Sequence, residues 1–201
     1  MINKERLAGL IDAIIAVIMT IMLLEFHTGE SGSLSEFIKE NVVYLIAYLL
    51  SFYYVVVSWA NQQYMMKHAK VITRKIYLSI MLWVLSLSLL PILAAWTGKT
   101  IDLFDDFGLH SPKAPALLFL AMIVCWGLAY VKMSKAFIAD NPKEQELLVG
   151  EMAVFKYLTH PIWIFSIVVA VIITYFYPPF VFIYTAFEMI AASVIGREAF
   201  N

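Results

Sequence analysis

Six long apolar runs alternate with short polar connectors along the chain, at about 5–26, 37–61, 74–96, 115–137, 154–176 and 179–197. Each is close to the ~20 residues that a helix needs to cross the hydrocarbon core of a bilayer. The connectors hold the polar residues and helix breakers: His27 to Glu36, Asn61 to Lys70, Thr97 to Lys113, Ala139 to Glu151, and the Pro178-Pro179 turn. The pattern predicts an all-α membrane protein whose six transmembrane helices form one domain over 1–201. The connectors after the third and fourth runs have room for a short surface helix each. No small-x-small cleavage site follows Leu24, so the first run is expected to persist as a helix and not to leave as a signal peptide.

The distribution of basic residues orients these crossings. If the odd-numbered runs point outward, one side collects Lys4, Arg6, Lys67, Lys70, Arg74, Lys75, Lys132, Lys135, Lys143, Lys156 and Arg197. The other side has only Lys39, Lys99 and Lys113. Lysine and arginine gather on the cytoplasmic side of membrane proteins, so both termini are expected there. The opposite side carries Glu30, Glu36, Glu40, Asp102, Asp105 and Asp106. Acids around an outer mouth would concentrate cations, and an ordinary solvated loop would look the same.

Composition agrees with this picture. Of 201 residues, 62% are hydrophobic and 14% charged, with mean hydropathy +0.82; soluble domains run at about 45–50% and about 25%. A net charge of −1 gives no argument for nucleic acid as a partner. The lone Cys125 excludes a disulfide framework and a cysteine metal cluster. Glycine-rich phosphate loops and metal-spaced histidines are absent, so neither an enzyme nor a bound cofactor or metal is expected.

Polar residues inside the apolar runs are costly in hydrocarbon and therefore informative. The first run carries Arg6, Asp12 and Thr20 and closes on Glu25. At about 100° per residue, Leu10, Ala13, Val17, Thr20, Ile21 and Leu24 share one stripe, whereas Asp12 and Met19 point away from it. Asp12 is then expected to face its own subunit, where the polar end of the second run (Ser58, Trp59, Asn61, Gln62) lies at similar depth. An Asp12 bond to Trp59 or to an asparagine there would remove the cost of burying the carboxylate and fix the rotation of the helix. Arg6 lies on the stripe side, as an interfacial anchor or as part of a mouth between subunits. The stripe reads equally as ordinary helix packing, with Gly9, Ala13 and Ala16 permitting close contact. Glu188, deep in the last run, reads as a proton-relay group or as a structural acid paired with His160 or Lys156. The five tryptophans read mostly as interfacial aromatics.

Arg6-x-x-x-Leu10-Ile11-Asp12 resembles the Arg-x-x-x-Phe-Ser-Asp signature of the transmembrane protein 175 family of potassium-permeable channels, with Leu10 and Ile11 in place of Phe and Ser. Trp59-Ala60-Asn61-Gln62-Gln63 is similar to that family's Trp-x-Asn-His-His pattern, with glutamines for histidines. Leu82-Trp83 through Leu89-Leu90-Pro91 is similar to its Ser-Leu-Leu-Pro segment. The resemblance implies a homotetramer in a bacterial inner membrane that is permeable to potassium, with modest discrimination among monovalent cations. It implies a pore lined by the first helix of each subunit, with a hydrophobic constriction at Val17 and with Thr20, Ile21, Leu24 and Ala13 on the same wall. Arg6, Asp12, Trp59, Asn61 and Gln62 would form the polar network behind that wall. No Thr-Val-Gly-Tyr-Gly segment occurs, so a carbonyl selectivity filter is not expected. The rival readings are a small proton- or cation-coupled transporter using Asp12 and Glu188, and a non-conducting membrane scaffold.

Overall fold

The computed structural model describes residues 3–24, 33–104, 106–141 and 148–194. Glu25, His27, Glu30, Asp105, Lys143 and Arg197, all named above, lie outside the described residues, as do the expected ends of the first and last runs at 26 and 197. Eight α-helices account for the described apolar runs: α1 (Lys4–Leu24), α2 (Leu34–His68), α3 (Arg74–Ser88), α4 (Leu90–Thr100), α5 (Lys113–Asp140), α6 (Ala153–Thr159), α7 (Pro161–Phe176) and α8 (Phe180–Val194). A single 3₁₀ turn, Asp106–Gly108, stands in the connector after α4. Leu148 to Glu151 is also helical, ahead of α6.

Among the described residues four spans are long and apolar enough to cross a membrane: α1, α2, α3 with α4, and α5. A fifth is present if α6 and α7 count together, and they meet at 72°. The chain is thus an all-helical, multi-pass membrane protein. The fifth run is not the straight crossing expected from its hydropathy. Pro161 pushes the preceding residue out of the helical region, and His160 is extended at φ −83°, ψ 141°. Its imidazole Nδ1 then accepts from the Ile162 N–H at 3.2 Å, so His160 caps the helix that starts at Pro161. Of the sixth run, the described residues form the 15-residue helix Phe180–Val194, shorter by itself than the ~20 residues of a straight crossing. The second run extends past its apolar boundary, because Asn61, Gln62 and Gln63 continue the helix to His68.

The core lies between α2, α3, α4 and α5, with α2 packed along α4 and α3 along α5. Leu89 interrupts the third run and Pro91 opens α4, because proline cannot donate the next helical bond. Gly98 lets α4 approach α2: a Cβ there would stand 2.9 Å from the Tyr44 Cα. The α2–α3 connector is tied to the end of α5 by Asn141. Its Oδ1 accepts from the Lys70 and Val71 amides at 3.0 and 2.9 Å, and its Nδ2 donates to the Val71 carbonyl at 3.0 Å. Thr73 adds a hydroxyl bond to Asp140. Trp83, Trp126 and Trp163 are buried within the protein.

Candidate functional site

α1 presents two faces of different character. Leu7, Ile11, Ile15, Ile18 and Met22 recur at helical spacing and are buried against the bundle. Leu10, Ala13, Val17, Thr20, Ile21 and Leu24 are exposed, Val17 at 53% and Leu24 at 80%. Only 28% of the α1 span is buried, against 56% for α3 with α4 and for α5. The Thr20 hydroxyl donates to the Val17 carbonyl at 3.0 Å. A donating hydroxyl keeps its oxygen lone pairs, so Thr20 remains able to accept from water or to coordinate a cation.

Three polar fastenings hold α1 to α2. At one end the Lys4 ammonium donates to the Lys67 and Ala69 carbonyls at 3.0 and 2.9 Å. These carbonyls belong to the C-terminal end of α2, where a cation complements the orphaned acceptors and the helix dipole. In the middle the Asp12 carboxylate accepts from Trp59 Nε1 at 2.8 Å and from Gln63 Nε2 at 2.6 Å. At the other end the Tyr44 hydroxyl donates to the Met22 carbonyl. From Lys4 to Met22 the fastenings span roughly 27 Å of helix at 1.5 Å per residue.

The structure therefore brings Asp12 and Trp59 together, but not Asp12 with Asn61 or Gln62. Gln63, one helical turn beyond Trp59, supplies the second donor. Gln62, about 100° from Gln63 around α2, is fully buried, and neither of its amide atoms has a hydrogen-bond partner among the described residues. Asn61 is buried and lines a separate cavity. Arg6 is exposed at the start of α1, on the side of the open stripe, and no bond of its guanidinium to Asp12 is formed. The i, i+4 spacing of Trp59 and Gln63 carried the signal for the second donor. Lys4 and Tyr44 had none, because their partners are backbone carbonyls.

Glu188 is buried on α8, but not with the partners expected from sequence. Its Oε1 accepts from Trp163 Nε1 at 3.1 Å and from the Tyr184 hydroxyl at 2.9 Å. Lys156 bonds Glu151 at 2.6 Å, and His160 caps α7. Gly127 makes room for the Trp163 ring, which a Cβ would meet at 2.5 Å. Among the described residues no cluster of three or more histidines, cysteines or acids could hold a metal ion.

Comparison with known proteins finds a likeness over most of the first three runs. Residues 6–91 match the family described as the endosomal/lysosomal potassium channel TMEM175. A protein of Chryseobacterium sp. (strain P1-3) named as a potassium channel is 26% identical over 179 residues, covering 88% of this chain and 85% of that protein. No solved structure matches. The matched segment runs from the Arg6 end of α1 to Pro91, where α4 opens, and over that stretch the chain is similar to the TMEM175 family.

Proposed function

We propose that the chain is a potassium-permeable cation channel whose pore is lined by α1 of each subunit. The observation that carries this reading is the asymmetry of α1. A bilayer-length helix is fastened along one side, while Leu10, Ala13, Val17, Thr20, Ile21 and Leu24 stay uncovered on the other. One helix stripe cannot enclose a passage, so several copies must meet around an axis, and we assign a homotetramer. Val17 lies near mid-span and forms the hydrophobic constriction, with Ile21 and Leu24 above it. Aliphatic rings of this kind close a narrow pore by dewetting, without any charge. Thr20 offers a permeating ion side-chain oxygens in that layer, and discrimination among monovalent cations then follows from pore width. The relative named as a potassium channel supports the choice of ion.

In this reading the six apolar runs all enter the bilayer, the fifth as a broken span and the sixth as a shorter helix. The basic excess around Lys4, Lys67, Lys70, Arg74 and Lys75 faces the cytoplasm of a bacterial inner membrane. Potassium-loaded proteoliposomes test the proposal. Passive potassium flux that increases in Val17→Ala supports it. Uptake that requires a proton gradient would replace it with a coupled transporter, the reading favoured by the buried Glu188. Absence of both would leave a scaffold.

A further inference from the structure

α7 and α8 leave a groove of about 370 Å³ between them, a volume within the ~300–1,000 Å³ of small-molecule sites. Phe165, Val169 and Ala170 of α7 and Phe180, Ile183 and Phe187 of α8 line it. Ser166 and Tyr184 line it too, but their hydroxyls are engaged elsewhere. Ser166 donates to the Trp163 carbonyl at 2.7 Å, and Tyr184 donates to Glu188 at 2.9 Å. No polar surface therefore opens onto the groove.

The surroundings are equally apolar and equally uncovered. Of α7 only Trp163, Ala170 and Thr174 are buried. Phe165, Ile183 and Phe187 are 68%, 58% and 55% exposed. A helix that is apolar on nearly every side, yet left open by its own fold, belongs in hydrocarbon.

We propose that this groove binds one acyl chain of a membrane lipid. Water does not fill it, because an apolar lining offers water no partner and the bilayer core holds none. Hydrocarbon against the phenyl rings supplies the dispersion contacts that a gap would forfeit. Ala170, the smallest lining side chain and fully buried, forms the floor. From Phe180 to Phe187 the wall runs ~10 Å along α8 at 1.5 Å per residue, a length that suits an extended chain. The groove borders the open face of α7 at Ile164, Val168 and Val171, so it is continuous with the surface that the bilayer covers.

A second copy of the chain is the competing occupant. α1 packs on α2, α3 and α4, whereas α7 packs on α5, α6 and α8. If copies meet through α1, as proposed above, α7 and α8 lie at the rim of the assembly and face lipid. The choice of lipid over a second copy rests on that reading.

Photolabelling tests the site. The purified full-length protein is placed in phosphatidylglycerol and phosphatidylcholine vesicles with a trace of phospholipid carrying a diazirine midway along its acyl chain. Peptide mapping then compares labelling of residues 165–187 with labelling of the exposed face of α5 at Leu118 and Leu128. A several-fold excess at the groove is expected, saturable and displaced by the same lipid without the diazirine. Ile183→Trp fills the groove from an exposed wall, and should remove the excess while α5 labelling stays unchanged. If that variant does not fold, displacement on the unmodified protein decides the matter. Equal labelling of the groove and α5 would mean ordinary solvating lipid, and would overturn the proposal. So would a disulfide between copies through Ile183→Cys in a Cys125→Ser background, since a second copy would then cover the groove. Labelling does not require conduction, and flux through Val17→Ala does not report on the groove, so the two proposals can fail separately.

Discussion

Trp59 gives its indole N–H to the Asp12 carboxylate at 2.8 Å, across the seam between α1 and α2. The bond sets the rotation of α1: Ile11 next to Asp12 is buried in the bundle, and Leu10 on its other side is open.

Asp12→Asn replaces a charge-assisted acceptor that serves two donors. Loss of about 1.5–3 kcal/mol is expected, the range for hydrogen bonds to a charged group. Trp59→Phe and Gln63→Ala should each cost part of this. In a double-mutant cycle their effects should not add, because they share one carboxylate. Thermal unfolding of the purified protein measures both.

Val17 and Ile18 are neighbours on the chain and opposites in the fold. Val17→Ala should raise potassium flux several-fold with little change in stability. Ile18→Ala cuts into the core, at about 2–5 kcal/mol, without widening the proposed constriction. Flux and unfolding measured on the same two variants check the contrast.

Gly98→Leu should be among the most disruptive single changes outside α1. Its Cβ alone would stand 2.9 Å from backbone, which cannot swing aside as a flexible side chain can. Overpacking of about 1–3 kcal/mol is expected, read as a lower unfolding midpoint.

Asn141→Ala removes all three bonds to the α2–α3 connector. Lys70 and Val71 are exposed, so water replaces part of what is lost and a cost of about 0.5–1.5 kcal/mol is expected. Faster hydrogen exchange confined to residues 69–73 and the end of α5 would report the released connector.

Outside the membrane, Asp106 is held below the usual carboxylate range, chiefly by its hydrogen bond to His110. A depressed acid favours the folded turn above its unfolded pKa and loses that contribution as pH falls through the lowered value. His110→Ala should move the Asp106 titration upward, observable by NMR. Because the pair is exposed, global stability should not change measurably.

The helices were legible because hydrocarbon demands long apolar runs, and α1 to α5 follow them closely. The breaks were less so. Pro91 and Pro161 marked them, but hydropathy does not report a bend of 72°. The Asp12–Trp59 pairing was legible from depth alone, since two polar groups at one height in a bilayer need each other. Gln62 and Gln63 differ by 100° around α2, and nothing in local sequence shows which of them faces α1. Glu188 was recognisable as a buried acid. Its donors were not, because Trp163 reaches it only through the bend at His160 and the space left by Gly127.

The fastenings between α1 and α2 restrict what movement is open to the wall of the proposed passage. Turning α1 about its own axis would break the Lys4, Asp12 and Tyr44 bonds at once, at three heights. Sliding it lengthwise would break the same set. The low-cost motion keeps all of them and carries α1 and α2 together as a single paired strut. Its pivot is then the 69–73 connector that Asn141 holds, at the opposite end of the strut from Tyr44.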